Sequence, residues 1–290
     1  MAWGIDLMNL FCLGFGYSAQ RFATLFGDEY FIAGTVRTPD KAEALRRNGL
    51  QAYVFDGETL TPDCEDALCE ADALLISVPP GETGDGNTAV TDALLGSASV
   101  RWIGYLSTIG VYGDRDGAWV TEKDEPTPQQ PRSIRRLAAE MAWLRTGREA
   151  MAATQIFRLA GIYGPGQNAI EQMRAGTARR IVKPGQVFNR IHVDDIARII
   201  RASLMKPRDG AVYNVTDNEP APPQDVITYA AELLDREPPP EVDWRNAGLS
   251  PMGLSFYEEN KRVSNALIRA EFGDDLLRYP TYREGLKSFL

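Results

Sequence analysis

The sequence has few of the residues that form disulfide frameworks and metal sites. It contains three cysteines and one histidine in 290 residues. The cysteines, Cys12, Cys64 and Cys69, are odd in number and include no C-x-x-C pair. A disulfide framework and a zinc site are therefore both unexpected. Cys12 lies in an apolar segment, where a small core residue is the simplest interpretation.

Long apolar runs and basic runs are also missing. No segment approaches the roughly 18 apolar residues of a membrane-spanning helix. The formal net charge is −9, whereas nucleic-acid and anionic-membrane surfaces require a basic stripe. The N-terminus lacks the basic start and cleavage site of a secretory signal, so a cytoplasmic location is expected. We expect a small-molecule substrate, and neither a nucleic acid nor a membrane as a partner.

What the sequence does contain is an alternation of short apolar segments and helical patterns. Strands are predicted at 9–13, 30–36, 51–55, 73–78, 100–107 and 154–159. Helices are predicted at 18–26, 40–47, 64–70, 88–95, 132–145 and 224–234. Alternation at this spacing implies right-handed βαβ units and a parallel sheet. The predicted fold class is α/β, a Rossmann-type doubly wound parallel sheet with a small C-terminal α/β substrate lobe.

The predicted domain boundaries follow from the place where this pattern loosens. Residues 8–164 and 190–215 are assigned to the Rossmann dinucleotide-binding domain, and residues 165–189 and 216–290 to the small substrate lobe. A polar, proline-rich segment between Gly113 and Pro131 is too long for a simple connection. It is therefore a candidate active-site loop.

A glycine-rich turn lies between the first predicted strand and the first predicted helix. Its six residues match G-x-G-x-x-A and are Gly14, Phe15, Gly16, Tyr17, Ser18 and Ala19. Gly14 permits a tight turn, Gly16 lets the backbone approach a pyrophosphate, and Ala19 lets the helix pack on the strand. The helix N-terminus presents unpaired N–H groups to the phosphates. In this context the turn predicts dinucleotide binding.

The end of the second predicted strand distinguishes between cofactors. NAD enzymes place an acidic residue there to hold the ribose hydroxyls. Here Arg37 and Thr38 follow the strand, and the first carboxylate is Asp40. A guanidinium suits a 2′-phosphate, so NADP is predicted over NAD, with Thr38 or Lys41 as a further contact beside Arg37. The alternative is that Arg37 is merely a solvated arginine at a strand end.

Several further motifs carry a resemblance to a known family. They are, in chain order, Ser107-Thr-Ile-Gly-Val-Tyr-Gly113, Arg158-Leu-Ala-Gly-Ile-Tyr-Gly-Pro-Gly166, Ile191-His-Val-Asp-Asp-Ile-Ala197, Val212-Tyr-Asn-Val215 and Tyr279-Pro-Thr-Tyr-Arg-Glu-Gly285. Together with the glycine turn, they resemble the extended and atypical short-chain dehydrogenase/reductases, the NAD(P)-dependent epimerase/dehydratase group. The resemblance covers most of the chain.

The resemblance implies roles for individual residues. It places Asp56 near the adenine, and Val78 and Pro79 beside the cofactor. It places Thr108 at the catalytic Ser/Thr position, where a hydroxyl binds the reacting oxygen. Tyr112 follows Thr108 closely enough in sequence to reach a substrate, and the alternative is that this tyrosine simply packs. It also implies a homodimer formed through the helices at 88–95 and 132–145. The apolar residues of the second helix suit such an interface, but they equally suit packing on the sheet.

The largest departure from the family concerns the proton-transferring residues. The family uses Y-x-x-x-K, in which the Tyr moves a proton and the Lys lowers the Tyr pKa. Anchoring on Leu137-Ala-Ala-Glu140 puts Arg132 at the Tyr position and Arg136 at the Lys position. Arg136 can donate to a ribose hydroxyl, but an arginine cannot act as a base. The usual dyad is therefore absent from this helix.

Other candidate groups each have a structural alternative. Tyr257-Glu-Glu-Asn-Lys261 matches Y-x-x-x-K but lies far along the chain, and chance is the better explanation. His192 is an acid/base by type, although its motif resembles a structural turn. Carboxylates of the long loop are a further set: Asp114, Glu122, Asp124 and Glu125.

Three functional hypotheses remain open. The first is an oxidoreductase or epimerase/dehydratase that acts on a hydroxyl or carbonyl of a small, sugar-like substrate with a non-standard active site. The second is a non-catalytic NADP(H)-binding redox sensor or regulatory module, which the missing dyad favours. The third, a relic that binds no cofactor, conflicts with the intact turn at Gly14.

Overall fold

The computed structural model describes residues 7–81, 88–96 and 99–290. The strands of this part of the chain are β1 (Met8–Leu13), β2 (Tyr30–Val36), β3 (Gln51–Val54), β4 (Ala73–Ile76), β5 (Trp102–Thr108), β6 (Trp119–Val120), β7 (Ala153–Leu159), β8 (Gly161–Tyr163), β9 (Arg180–Val182), β10 (Arg190–His192), β11 (Val212–Val215), β12 (Glu241–Asp243) and β13 (Arg262–Val263). The helices are α1 (Tyr17–Phe26), α2 (Pro39–Arg47), α3 (Pro62–Cys69), α4 (Thr88–Gly96), α5 (Pro131–Glu149), α6 (Ala169–Arg174), α7 (Val193–Met205), α8 (Pro223–Leu233), α9 (Pro251–Tyr257), α10 (Ala266–Phe272) and α11 (Tyr282–Lys287).

Seven strands form the main sheet, in the order β11-β7-β5-β4-β1-β2-β3. Strand β1 runs parallel to both of its neighbours, so that Phe11 pairs with Ala33 of β2 and with Leu74 of β4. The pairs β2–β3 and β4–β5 are parallel as well. The order reverses direction at β1, as in doubly wound folds. The predicted α/β class with a Rossmann-type sheet is confirmed.

The core of this sheet explains why the chain forms these elements. All four residues of β4 are buried, as expected for a strand covered on both faces. Phe11 and Leu74 pack with Val90 of α4 and Trp143 of α5 in one cluster. Burying each such side chain contributes roughly 1.5–3 kcal/mol.

The cysteines lie in or near this core, and none of the three forms a disulfide. Burial raises the pKa of the Cys12 thiol to about 12 and that of the Cys64 thiol to about 11. Both thiols therefore stay protonated at neutral pH, which makes them poor nucleophiles and metal ligands.

The chain divides into two compact units. Unit 1 comprises Met1–Ser107, Ile134–Phe157 and Ala197–Val212, and unit 2 comprises Thr108–Ser133, Arg158–Ile196 and Tyr213–Leu290. The predicted boundaries differ from this division. Four segments assigned to the Rossmann domain belong to unit 2, namely residues 108–133, 158–164, 190–196 and 213–215.

Unit 2 contains three short parallel strand pairs, β8–β10, β9–β12 and β6–β13. Its core includes Tyr163, Ile170 of α6, Ala230 of α8 and Leu286 of α11. The long loop predicted between Gly113 and Pro131 contains β6, which pairs with β13 about 140 residues later. Over the described residues, no helix combines the length and apolar character needed to cross a membrane.

Candidate functional site

The glycine turn connects β1 to α1 and is held by both neighbouring strands. The backbone N–H of Gly14 donates to Thr35 Oγ1 at 2.9 Å, and the N–H of Phe15 donates to the Thr35 carbonyl at 2.6 Å. On the other side, Ser77 Oγ donates to the Gly14 carbonyl at 2.5 Å. The turn is therefore fixed before any ligand binds.

The two glycines of the turn lack a side chain for different structural reasons. Gly14 has φ +90°, and a Cβ there would lie 2.7 Å from Val78 Cγ1 and 2.9 Å from Ser77 Oγ. Gly16 is the N-cap of α1 with φ −86°, and a Cβ there would meet nothing within 4 Å. Gly14 is required by the fold, whereas Gly16 leaves open space at the helix N-terminus, where an anionic group binds favourably.

A cleft of about 1070 Å³ opens in unit 1 beside this turn. Its walls come from the turn and from residues at or beyond the carboxyl ends of β2, β3 and β4, and Tyr105 of β5 and Trp143 of α5 also line it. Ligands of open α/β sheets bind at this edge, next to the point where the strand order reverses. The cleft is large enough for a dinucleotide.

The cleft brings together most of the residues predicted to bind a cofactor. Those that line it are Gly14, Phe15, Gly16, Arg37, Asp56, Val78 and Pro79. Four others do not: Tyr17, Ser18, Ala19 and Thr38. Ser18 and Ala19 are buried in the first turn of α1, which agrees with a packing role, and Thr38 is the exposed N-cap of α2.

Some residues that line or support the cleft were not predicted from the sequence. Thr35 and Ser77 hold the turn through hydrogen bonds, and Tyr105 and Trp143 line the cleft. None of them belongs to a recognisable short motif. A small hydroxyl residue at the end of each strand beside the turn was the only available signal for Thr35 and Ser77.

The charges of the cleft are unevenly distributed. Arg37 and Lys41 line it beyond the end of β2, and neither has a hydrogen bond or an ion pair with the described residues. Asp56 follows β3, and its Oδ1 accepts from the backbone N–H of Glu58 at 2.9 Å and from that of Thr59 at 3.3 Å. These two bonds lower the Asp56 pKa, so its carboxylate stays ionised.

Thr108 is the last residue of β5. Its Oγ1 accepts from the backbone N–H of Gly110 at 3.1 Å and so caps the 3-10 turn Ile109–Tyr112. Because the hydroxyl acts there only as an acceptor, its proton remains available for a substrate oxygen.

Tyr112 is fully buried in unit 2. Its Oη donates to Asn214 Oδ1 at 2.8 Å, and the Arg158 guanidinium lies 4.9 Å from its ring centroid. Burial raises the Tyr112 pKa. Its burial and these contacts favour a core role for this phenol.

The two arginines of the altered dyad have different surroundings. Arg136 Nη1 donates to Tyr105 Oη at 3.2 Å and to the Leu106 carbonyl at 3.1 Å. The Arg132 guanidinium stacks 4.7 Å from the ring centroid of Phe256. Each arginine is held in place, but neither can remove a proton from a substrate.

The distant Y-x-x-x-K match is occupied by structural contacts. Tyr257 packs against Phe188 and Trp244. Lys261 Nζ lies 2.6 Å from Glu259 Oε2, and burial lowers the Lys261 pKa. The two residues thus interact with different partners.

His192 and the loop carboxylates are also engaged within unit 2. The His192 ring packs against Tyr163 and Tyr279, and its Nδ1 accepts from the backbone N–H of Asp194 at 3.1 Å. Three loop carboxylates accept backbone N–H groups in a similar way, namely Asp114 from Asn260, Glu122 from Asn214 and Asp124 from Thr121. These contacts favour structural roles. The described residues also contain no group of three or more His, Cys, Asp or Glu that could hold a metal ion.

Comparison with known proteins identifies the family. The model of the NAD dependent epimerase/dehydratase family matches residues 77–216. Protein YeeZ of Escherichia coli (strain K12) is 32% identical over 270 residues, which cover 88% of this chain and 92% of YeeZ. The chain belongs to the NAD dependent epimerase/dehydratase family.

Two solved structures are similar to this chain over nearly its whole length. A functionally unknown conserved protein from Silicibacter pomeroyi DSS is 46% identical, with a TM-score of 0.84 and 96% of each chain covered. MoeE5 in complex with UDP-glucose and NAD is 20% identical, with a TM-score of 0.76 and 96% of each chain covered, and this likeness concerns the fold alone.

Proposed function

We propose that this family member binds NADP(H) in the cleft of unit 1 and acts as an oxidoreductase or epimerase/dehydratase on a hydroxyl or carbonyl of a small, sugar-like molecule. The observation that carries the proposal is the preformed glycine turn with open space at Gly16, next to a cleft of about 1070 Å³. A pyrophosphate suits such a turn because the N-terminus of a helix attracts anionic groups through its dipole and its first N–H groups.

The residues beyond β2 favour NADP over NAD. Arg37 and Lys41 supply two cations to the cleft, and a 2′-phosphate is the part of NADP that NAD lacks. A carboxylate that would hold two ribose hydroxyls is absent from the described end of β2, where Val36 is followed by Arg37. The nearby Asp56 already accepts two backbone N–H groups.

The cofactor and the chain would contribute different chemical groups to the reaction. A nicotinamide supplies hydride transfer when it is bound. Thr108 would donate its hydroxyl proton to the reacting oxygen and so orient it, as its capping bond leaves that proton available. Arg136 would contribute a fixed positive charge. The chain provides no tyrosine at the position of the usual base.

A second candidate function is a non-catalytic NADP(H)-binding redox sensor. The feature in its favour is that the resemblance places Arg132 and Arg136 at the two dyad positions, where neither can act as a base, next to a cleft that can hold a dinucleotide. Such a protein would bind the cofactor and report its state to a partner.

One experiment tests both functions. The purified protein is titrated with NADPH and with NADH while nicotinamide fluorescence is followed. Hydroxyl and carbonyl compounds, including UDP-glucose, which MoeE5 binds, are then screened for a change in nicotinamide absorbance. Tight NADPH binding with turnover supports the enzyme, tight binding without turnover supports the sensor, and no binding of either dinucleotide contradicts both.

A homodimer through α4 and α5 is a further part of the proposal. Leu95 of α4 and Ile134 and Met141 of α5 are large apolar side chains with exposed fractions of 47%, 49% and 62%. Light scattering of the purified chain would give a dimer mass if these residues form an interface, and a monomer mass if they do not.

A further inference from the structure

The Tyr105 side chain is a buried polar group in the wall of the cleft. It lies in β5, with an exposed fraction of 1%, and lines the cleft together with Trp143. Arg136 of α5 approaches it from one side, with Nη1 3.2 Å from Oη and the guanidinium carbon 5.6 Å from the ring centroid. No catalytic or binding role described above uses this phenol.

The chemistry of the pair fixes the direction of their hydrogen bond. A guanidinium has only donors, so Arg136 donates and Tyr105 Oη accepts. The phenolic proton of Tyr105 must then point elsewhere. Within the described ranges Tyr105 Oη has no second hydrogen-bond partner, and the cleft is the open space that this side chain lines.

The ionisation state of Tyr105 is consistent with a role as a hydrogen-bond donor. Burial raises its pKa to about 12, although the Arg136 charge opposes that change. The phenol therefore keeps its proton over the whole neutral range. Unless an acceptor enters the cleft, this buried donor stays unsatisfied, which proteins generally avoid.

The sheet order indicates which part of a dinucleotide Tyr105 faces. Strands β2 and β3 lie on one side of β1, and β4 and β5 lie on the other. Arg37 and Asp56 follow β2 and β3, and under the proposed function they lie beside the adenosine half. A dinucleotide whose pyrophosphate lies at the β1 turn therefore directs its nicotinamide half towards β4 and β5.

We infer that Tyr105 is a cofactor-binding residue whose hydroxyl donates a hydrogen bond to an oxygen of the nicotinamide half, with Arg136 as the positioning residue that orients it. This inference rests on the proposed function, because it requires a dinucleotide in the cleft. It assigns a binding partner to a side chain that occupies no motif position.

The test compares two probes on three proteins. NADPH contains both halves of the dinucleotide, and adenosine 2′,5′-bisphosphate contains only the adenosine half. Dissociation constants are measured for the wild type, for Tyr105→Phe and for the control Tyr53→Phe, whose ring packs on Phe11 in β1 away from the cleft lining. Circular dichroism and thermal unfolding confirm that the variants fold.

We expect Tyr105→Phe to weaken NADPH binding about threefold to tenfold, the range of one lost hydrogen bond. Binding of adenosine 2′,5′-bisphosphate should not change, and Tyr53→Phe should bind both probes like the wild type. Equal NADPH affinity in Tyr105→Phe and the wild type overturns the inference alone. A wild type that binds neither probe overturns the proposed function together with the inference.

A double-mutant cycle tests the positioning role of Arg136. If Arg136 acts through Tyr105, the loss of NADPH affinity caused by Arg136→Gln will be smaller in the Tyr105→Phe background than in the wild type. Equal losses in the two backgrounds contradict that role. Because the cycle compares ratios of affinities, a general loss of stability does not produce the expected result.

Discussion

Arg37 has a guanidinium at the edge of the cleft that no described carboxylate or carbonyl binds. A charged hydrogen bond contributes about 1.5–3 kcal/mol, which corresponds to roughly tenfold to a hundredfold in affinity. We therefore expect Arg37→Ala to weaken NADPH binding by at least about tenfold and to leave NADH binding unchanged. Isothermal titration of both dinucleotides measures this difference.

Arg47→Ala is the matched control for Arg37→Ala. Arg47 ends α2, pairs with Glu43 at 3.2 Å on an exposed surface and does not line the cleft. Its removal changes the net charge by the same amount. Equal affinities of the wild type for NADPH and NADH, or equal effects of the two substitutions, would contradict the role assigned to Arg37.

Substitutions of Thr108 distinguish the enzyme hypothesis from the sensor hypothesis. If the chain is an enzyme, Thr108→Ala should lower kcat by about a hundredfold or more, in the range of a lost donor to a developing charge. The dissociation constant for NADPH should stay the same. Thr108→Ser keeps both the hydroxyl and its bond to the Gly110 N–H and should retain activity. A Thr108→Ala protein with full turnover would show that this hydroxyl does not act on the substrate.

At the scale of elements, the turn between β1 and α1 offers a pair of contrasting substitutions. Gly14→Ala should lower the free energy of unfolding by about 1–3 kcal/mol, the cost of a strained backbone, and its Cβ would also clash with Val78. Gly16→Ala should keep the fold, because its Cβ meets no protein atom. It should nevertheless weaken NADPH binding, since the methyl group enters the space of the pyrophosphate. Denaturant titration and NADPH titration of both variants check the contrast.

The order and type of the sheet elements were predictable because apolar periodicity is a local property. The exact residues at which strands and helices end were less predictable. The predicted strand at 73–78 ends at Ile76 as β4, because Ser77 and Val78 donate their N–H groups to the Leu13 carbonyl. Helix α5 extends beyond the predicted 132–145 and includes Gly147, whose Cβ would lie 1.7 Å from Thr154 Oγ1. That glycine allows the helix to pack closely on β7.

The remaining parts of the site depend on contacts between residues far apart in sequence. Tyr105 and Arg136 meet only because α5 packs on β5, and Thr35 reaches Gly14 across the β1–β2 pair. Likewise, the Asp114 carboxylate accepts a hydrogen bond from the Asn260 N–H, so this loop residue has a structural role. A single sequence contains no local signal for such pairs. The motifs therefore predicted the turn, the family and part of the cleft lining, but not Tyr105 or Trp143.

At the scale of the whole molecule, the combination of intact and lost parts limits the functions available. The turn, the cleft and Thr108 are present, whereas the resemblance places Arg132 at the position of the family's proton-transferring tyrosine. A chain that had lost its cofactor altogether would have no reason to keep Gly16 free of a side chain. Cofactor binding is thus the property on which both proposed functions depend, and turnover is the property that separates them.

Stability of the whole molecule should depend on pH through one buried carboxyl. Asp217 has an exposed fraction of 1%, and burial raises its pKa to about 8, which the Glu219 N–H bond and the Arg190 charge only partly offset. In the unfolded chain this carboxyl ionises near its ordinary value of 3.8. Between these two pKa values the unfolded state has lost the proton and the folded state has kept it. The free energy of unfolding should therefore fall as pH rises from about 4 to about 8, by at most about 1.4 kcal/mol per pH unit.

Asp217→Asn should remove this contribution, because an amide keeps the Oδ1 that accepts from the Glu219 N–H at 3.1 Å and does not ionise. We expect the variant to gain stability relative to the wild type at pH 8, and to gain less at pH 5. Urea denaturation at the two pH values measures the difference, and Asp225→Asn, which removes an exposed carboxylate of α8, controls for net charge. A stability difference between wild type and Asp217→Asn that is the same at both pH values would show that the buried Asp217 carboxyl does not hold its proton in the folded state.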